Sequence, residues 1–155
     1  MTVAIASPVT GAPITGLTSP THTLVADTPP KSNAKAWIVS ALGGTQTNVR
    51  AHTLSDPFSI TVYKPEVPKA LPSKNPISGA YPSVPVNQYA FIIRKGVKID
   101  STGILRTMVI RLLIDVPAGA DASDAVNIKS ALSLLFGVGW AEGDDFSDLS
   151  VLGVL

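Results

Sequence analysis

The sequence has no cysteine, which excludes disulfides and thiol chemistry. It has two histidines, His22 and His52, with no carboxylate at a metal-like spacing from either. Neither a metal site nor a Ser-His-Asp type triad is indicated. No GxGxxG or GxxxxGK[ST] pattern occurs, and Gly43-Gly44 is too short for a phosphate loop. No window offers about 20 uninterrupted apolar residues, so no membrane-spanning helix is expected. The first residues, MTVAIASPVTGAP, lack a basic region and break at Pro8 and Gly11, unlike a secretory signal. There is no internal repeat. The carboxylates Asp121, Asp124, Asp144 and Asp145 read as helix-capping groups rather than general acids or bases. The chain reads as a non-enzyme, without cofactor or metal.

What is present is hydrophobic and unevenly charged. The 155 residues suit one domain, and 45% are hydrophobic, which argues against disorder. A mean hydropathy of +0.32 is high for a soluble monomer, and burial against copies of itself explains it better than a membrane does. Net charge is +1, but residues 31–111 hold eleven Lys/Arg against three Asp/Glu, and residues 112–155 hold one Lys against seven Asp/Glu. A basic middle and an acidic tail point to a polyanion partner for the middle.

The periodicity reads as many strands followed by helices. TVAIA (residues 2–6) is a short β-rich run, and the segments around Ile14–Leu17 and Thr21–Ala26 suggest small hairpins. Ala34–Leu42 reads as a strand ending at a Gly43-Gly44 turn. Gln46–Thr53 alternates, with Arg50 and His52 on its polar face. Phe58–Lys64 alternates cleanly: Phe58, Ile60 and Val62 point one way, and Ser59, Thr61 and Tyr63 the other. Gln88–Ile99 is a strand with Gly96 as a bulge, Asp100–Gly103 a turn, and Ile104–Val116 the longest strand. After Pro117 the period changes. Ala122–Phe136 reads as a helix capped by Ser123 or Asp121 and ended by Gly137 and Gly139. Trp140–Gly143 is then a loop, and Asp145–Leu152 a second helix capped by Asp144 or Asp145. The class is α+β. One or two helices cover only part of a sheet face, so a dimer with helices crossing to the partner is expected. The regions are an N-terminal hairpin region (1–30), a sheet (34–116) and a C-terminal helical region (121–155).

The polar sheet face is the candidate site. Arg50, His52, Ser59, Thr61 and Tyr63 lie on it, joined by Arg94, Thr107 and Arg111 if Met108, Ile110 and Leu112 pack under the helices. Arginine meets phosphates, and Tyr and His rings stack on unpaired bases, so this face suits RNA. An ordinary solvated sheet face has the same composition. The other functional class is a small β-rich ligand-binding module, for example for carbohydrate. It predicts grouped exposed aromatics, of which the chain's nine supply few. Between two strands sits YKPEVPKALPSKNPISGAYPSVPV, with six of the thirteen prolines. Proline lowers the entropy lost on ordering a loop and removes donors for stray strand pairing.

Several segments in order resemble the coat proteins of the levivirus-type, single-stranded RNA bacteriophages. ASPVTGAPITGLTSPTHTLVADTPP is similar to the N-terminal hairpin region of the longer members, and ALGGTQ with SDPFSITVYKP to the next strands. PKALPSKNPISGAYPSVPVNQYAFIIRKGV is the most specific part. DVPAGADASDAVNIKSALSLLFG resembles the strand-to-helix junction, and SVLGVL the apolar tail. The resemblance implies a dimer whose helices lie on the partner's sheet, an icosahedral shell, and an inner sheet face toward genomic RNA. It also implies a maturation protein in the virion, assembly in the bacterial cytoplasm and, in several members, an RNA hairpin bound as a translational repressor. The loop at 65–86, with Lys69, Pro72, Lys74, Pro76 and Tyr81, would then make contacts between dimers.

Overall fold

The computed structural model describes residues 3–154; Thr2, where the first β-rich run was expected to begin, and Leu155, the end of the tail, lie outside them. Six strands run in chain order as one antiparallel sheet: β1 (Val9–Thr10), β2 (Thr18–Asp27), β3 (Ala34–Thr45), β4 (Phe58–Tyr63), β5 (Val86–Lys98) and β6 (Leu105–Pro117). Three helices follow, α1 (Ala120–Ser123), α2 (Ala125–Ala141) and α3 (Gly143–Leu152). The expected α+β order is therefore present. β1 and β2 pair as an N-terminal hairpin, and β2 continues the sheet along β3 from Thr18 to Asp27.

Several expected details differ. Val3–Ala6 form no strand; the segment is tied to the sheet by Lys35 Nζ donating to the Val3 carbonyl. β3 runs through Gly43-Gly44 to Thr45 because β2 offers it a partner that far. Gly44 has φ +71, where a side chain is strained, and Ser19 of the irregular β2 presses against it. Gln46–Thr53 is not a strand: among the described residues no strand pairs with it, and its N–H groups bond singly, Val49 to the Gln46 carbonyl, His52 to that of Val39 and Thr53 to that of Asp56. Gly96 is no bulge, since it pairs in register with Thr107. Its missing side chain makes room for the Asp56 carboxylate.

The β5–β6 hairpin closes where expected. Asp100 Oδ1 accepts bonds from Thr102 Oγ1, Gly103 N–H and Ile104 N–H. The helix breaks at Asp124 (φ −146, ψ 43), so α1 and α2 are distinct. Neither Ser123 nor Asp121 caps them; Asp124 precedes α2 and accepts from Asn127 Nδ2. α2 continues through Gly137, Gly139 and Trp140, since two glycines in an apolar helix cost it stability without ending it. Asp144 does not cap α3. Its two oxygens accept from Thr15 N–H and Oγ1, each at 2.7 Å, fastening α3 to the β1–β2 connection.

The core is thin. Among the described residues the buried hydrophobic ones are Ala34, Ala36, Val39, Val62 and Ala118, and no large side chain is fully buried. α2 carries no polar side chain from Leu134 to Ala141, and a helical stretch apolar all round belongs in a core. Yet Leu134 is 69% exposed, Phe136 55% and Trp140 53%. Between α2 and the sheet lies a cavity of about 690 Å³, lined by Val62, Phe91 and Ile114 below and by Ile128 and Leu132 above. A compact 16.1 kDa monomer exposes roughly 7,400 Å²; this chain exposes 10704 Å².

Candidate nucleic-acid interface

Partners in an antiparallel ladder point to the same side of the sheet. Val62 pairs with Phe91 and Phe91 with Leu112, and this row lies under α2. The alternate rows therefore form the opposite face. There Ser59 stands beside Arg94 and Val109, Thr61 beside Ile92 and Arg111, and Tyr63 beside Ala90 and Leu113. Thr107, paired with Gly96, completes the set. Six of the eight expected residues thus share one helix-free face: Ser59, Thr61, Tyr63, Arg94, Thr107 and Arg111.

Their availability differs. Thr107 and Arg111 are exposed, and Ser59, Tyr63 and Arg94 are half-buried. Thr61 is only 3% exposed, and Arg94 Nη1 donates to its hydroxyl at 3.4 Å. Thr61 therefore positions an arginine and cannot itself be a contact surface. Lys98, absent from the expected set, lies on the same face by the same parity, paired with Leu105. Counting on by two from Arg94 would have found it. Asp115 and Gln88 also lie there and bond to each other at 2.9 Å. Apolar Val25, Ile38, Ile92, Val109 and Leu113 share the face, so its cations stand among greasy neighbours.

Arg50 and His52 do not join this face as strand residues. Both lie in the loop between β3 and β4, residues 46–57. Arg50 Nε bonds to Asp56 Oδ2, and its Nη2 donates to the Gly96 carbonyl at 3.0 Å. Lys95 Nζ reaches Asp56 Oδ1 at 3.1 Å and the Arg50 carbonyl at 3.0 Å. Asp56 is 4% exposed. Burial alone pushes its carboxyl up, but the hydrogen bonds and charges of Arg50 and Lys95 outweigh this and hold it below the usual carboxylate range. His52 Nδ1 accepts from the Phe58 N–H at 3.0 Å, so that nitrogen is occupied. His22 packs edge-on against Phe58, with 5.6 Å between ring centroids; burial lowers its pKa against the opposing bond to Val9.

The Pro-rich loop joins β4 to the paired β5, as expected, and has two parts. Its stem is fastened: Lys69 N–H donates to Asn87 Oδ1 and Asn87 Nδ2 to the Lys69 carbonyl, while Leu71 packs on Gly119. Pro72 marks the end of this stem. The tip closes on itself. Asn75 Oδ1 accepts from Ile77 and Ser78 N–H beside Pro76, and Lys74 Nζ sits 5.1 Å from the Tyr81 ring centroid. Ile77 at the apex is 97% exposed.

No family model matches the chain, and no curated protein matches it. Among solved structures it is similar to the virus-like particle of bacteriophage ESE020, with 41% identity, coverage of 99% of this chain and 100% of that chain, and a TM-score of 0.96. A weaker likeness is to the virus-like particle of Beihai levi-like virus 32, with 15% identity, coverage of 86% and 88%, and a TM-score of 0.46.

Proposed function

Because this chain belongs to the coat proteins of the levivirus-type RNA bacteriophages, we propose a division of labour among its surfaces. The protein is a structural capsid protein, assembles into a shell and resides in the virion. The observation that carries this is the full-length 41% identity to the subunit of a phage virus-like particle.

The building block is a dimer. About 3,300 Å² of surface beyond that of a compact monomer is in the range obligate interfaces bury. The apolar surround of α2 and the open edge of β6 supply it. Partner helices close over the sheet, and the loop tip at 74–81 meets neighbouring dimers. The opposite face looks inward to single-stranded RNA. Arg94, Arg111 and Lys98 meet phosphates, and Tyr63 offers a ring to an unpaired base. Arg50 serves the loop, so its share in RNA binding is indirect. A maturation protein joins the shell, assembly takes place in the host cytoplasm, and a hairpin-repressor role uses the same face. No catalytic role is assigned. A carbohydrate-type module is disfavoured because, among the described residues, Tyr63 is the lone Phe, Tyr or Trp of that sheet face, while Trp37, Phe58, Tyr89 and Phe91 lie on the other.

Expression of the chain alone, followed by electron microscopy and native mass spectrometry, tests this. Closed shells are expected. Products no larger than a dimer across salt and pH, with and without RNA, would reject the reading.

A further inference from the structure

β6 is the last strand of the sheet, and no described strand pairs with its outer side. Its thirteen residues include Met108, Ile110 and Leu113, which are 43%, 52% and 52% exposed. A long, flat, apolar edge is a template for pairing. The bonds at the two ends of the β5–β6 ladder tell which backbone groups are free. Ile99 N–H donates to the Ile104 carbonyl, and Ala118 N–H to the Pro85 carbonyl. Even-numbered β6 residues thus bond inward to β5, and the backbone N–H and C=O of Leu105, Thr107, Val109, Arg111, Leu113 and Asp115 point out of the sheet. Pro117, also odd, lacks its N–H on that open side, where no existing bond is lost.

Two copies joined edge to edge about a twofold axis perpendicular to the sheet obey a parity rule. Opposed residues share a face, and each face maps onto itself, so the numbers of opposed residues sum to an even value. Sliding one copy then gives few choices. With the axis at Val109 only Leu105–Leu113 pair and Ile114 and Val116 stay uncovered; with the axis at Leu113 only Val109–Pro117 pair and Met108 stays uncovered. With the axis at Ile110, Leu105 faces Asp115 and Thr107 faces Leu113. At Leu112, Val109 faces Asp115 and Arg111 faces Leu113. With the axis at Arg111 the whole strand, Leu105–Pro117, is paired. Ile110 then faces Leu112, Met108 faces Ile114, Val109 faces Leu113 and Thr107 faces Asp115, so apolar meets apolar and polar meets polar. Two pairs are discordant: Arg106 faces Val116, and Arg111 faces Arg111 of the partner subunit.

We propose that the dimer axis passes through Arg111, and that the two opposed Arg111 side chains form a two-chain phosphate site at the centre of the RNA-facing surface. The inference rests on the dimeric reading above. Like charges directly opposite weaken an antiparallel pair. A phosphate between them removes that penalty, so RNA binding and dimer formation reinforce each other. The site does not exist in a single chain.

The absence of cysteine makes the register directly readable. Single variants Val109→Cys, Arg111→Cys, Leu112→Cys and Leu113→Cys, and the double variant V109C/L113C, are assembled and mildly oxidised. Directly opposed residues lie within disulfide reach. The expected result is a covalent dimer from Arg111→Cys and from the double variant, which keeps the arginine, and little from the other singles. Self-crosslinking at 109, 112 or 113 alone would overturn the register while leaving edge pairing intact. Shells that form yet crosslink at no position would overturn edge pairing as well. In parallel, Arg111→Gln is expected to dimerise roughly two- to fivefold more tightly without RNA and to lose the gain that poly(U) gives the unaltered chain. Equal response to poly(U) in both would reject the phosphate site.

Discussion

The loop at 46–57 and helix α2 are opposites in how they are completed. The loop has no regular structure, yet its own chain satisfies it: Asp56 is buried between Arg50 and Lys95, and Gly96 vacates the space it fills. The helix is seventeen residues of regular structure, yet its own chain leaves Leu134, Phe136 and Trp140 in water. Regularity and self-sufficiency are therefore separate properties. The irregular segment belongs to the fold of one chain, and the regular one is what the proposed dimer would complete. Substitutions in the two should fail in different ways.

The largest effect is expected from the helix. Leu134→Asp with Phe136→Asp places charge on surfaces that are exposed in one chain and covered in the proposed dimer. Burying unpaired carboxylates costs several kcal/mol each, about enough to remove association altogether. Size-exclusion chromatography should show folded monomers by circular dichroism, and no shells. Shells of normal size would sink the assignment of α2 to the interface. Next comes the tip of the Pro-rich loop, whose residues Lys74–Tyr81 contact mainly each other. Replacing 74–81 by a short Gly-Ser link should leave the dimer intact and abolish or alter shells. Loss of the dimer would show that the tip, and not just the fastened stem, belongs to the dimer fold.

This contrast also explains what was legible in the sequence. Strands β4, β5 and β6 were readable because their alternation and their turn at Asp100–Gly103 are local features. The shared face of Ser59, Tyr63, Arg94 and Arg111 followed from parity alone. Gln46–Thr53 alternates equally well but has no neighbour to pair with, and that is a tertiary fact. Its arginine looked like a face residue because nothing in the spacing reveals a buried Asp56 six residues on. The glycines misled for the same reason. Gly96 serves a distant carboxylate rather than a bulge, and Gly137 and Gly139 do not adopt the left-handed backbone that ends helices. The exposed apolar α2 was visible only as excess hydropathy, because spacing within one chain does not tell which helix faces that chain will cover.

A smaller and purely intrachain effect is expected at the loop. Asp56→Ala leaves Lys95, whose side chain is 14% exposed, without its carboxylate. The cost should be about 3 kcal/mol, at the low end for a broken buried pair because Arg50 remains 37% exposed. Urea unfolding of assembly-deficient chains measures it. Arg50→Ala should likewise lower stability, whereas Arg111→Ala should leave stability unchanged and reduce packaged RNA. If both arginines change RNA content alike and neither changes stability, the distinction between the regions fails.

The smallest expected effect is a titration that separates the regions without mutation. The carboxyl of Asp56 is depressed in the folded chain. An ionisable group whose acid form is disfavoured by folding contributes its full stability above its unfolded pKa of about 3.9, and loses it as pH falls through the lower folded value. Stability of the assembly-deficient chain should therefore decline below about pH 4, and Asp56→Asn should flatten that decline. Of the carboxylates near the proposed interface, Asp121 and Asp124 precede α2, Glu142 follows it and Asp115 lies on the β6 edge, and all four are exposed where Asp56 is buried. Dimer affinity should then fall with pH less than chain stability does. A dimer that dissociates before the Asp56 transition would mean that the loop and the interface are coupled, and that the division between a completed and an uncompleted region is too sharp.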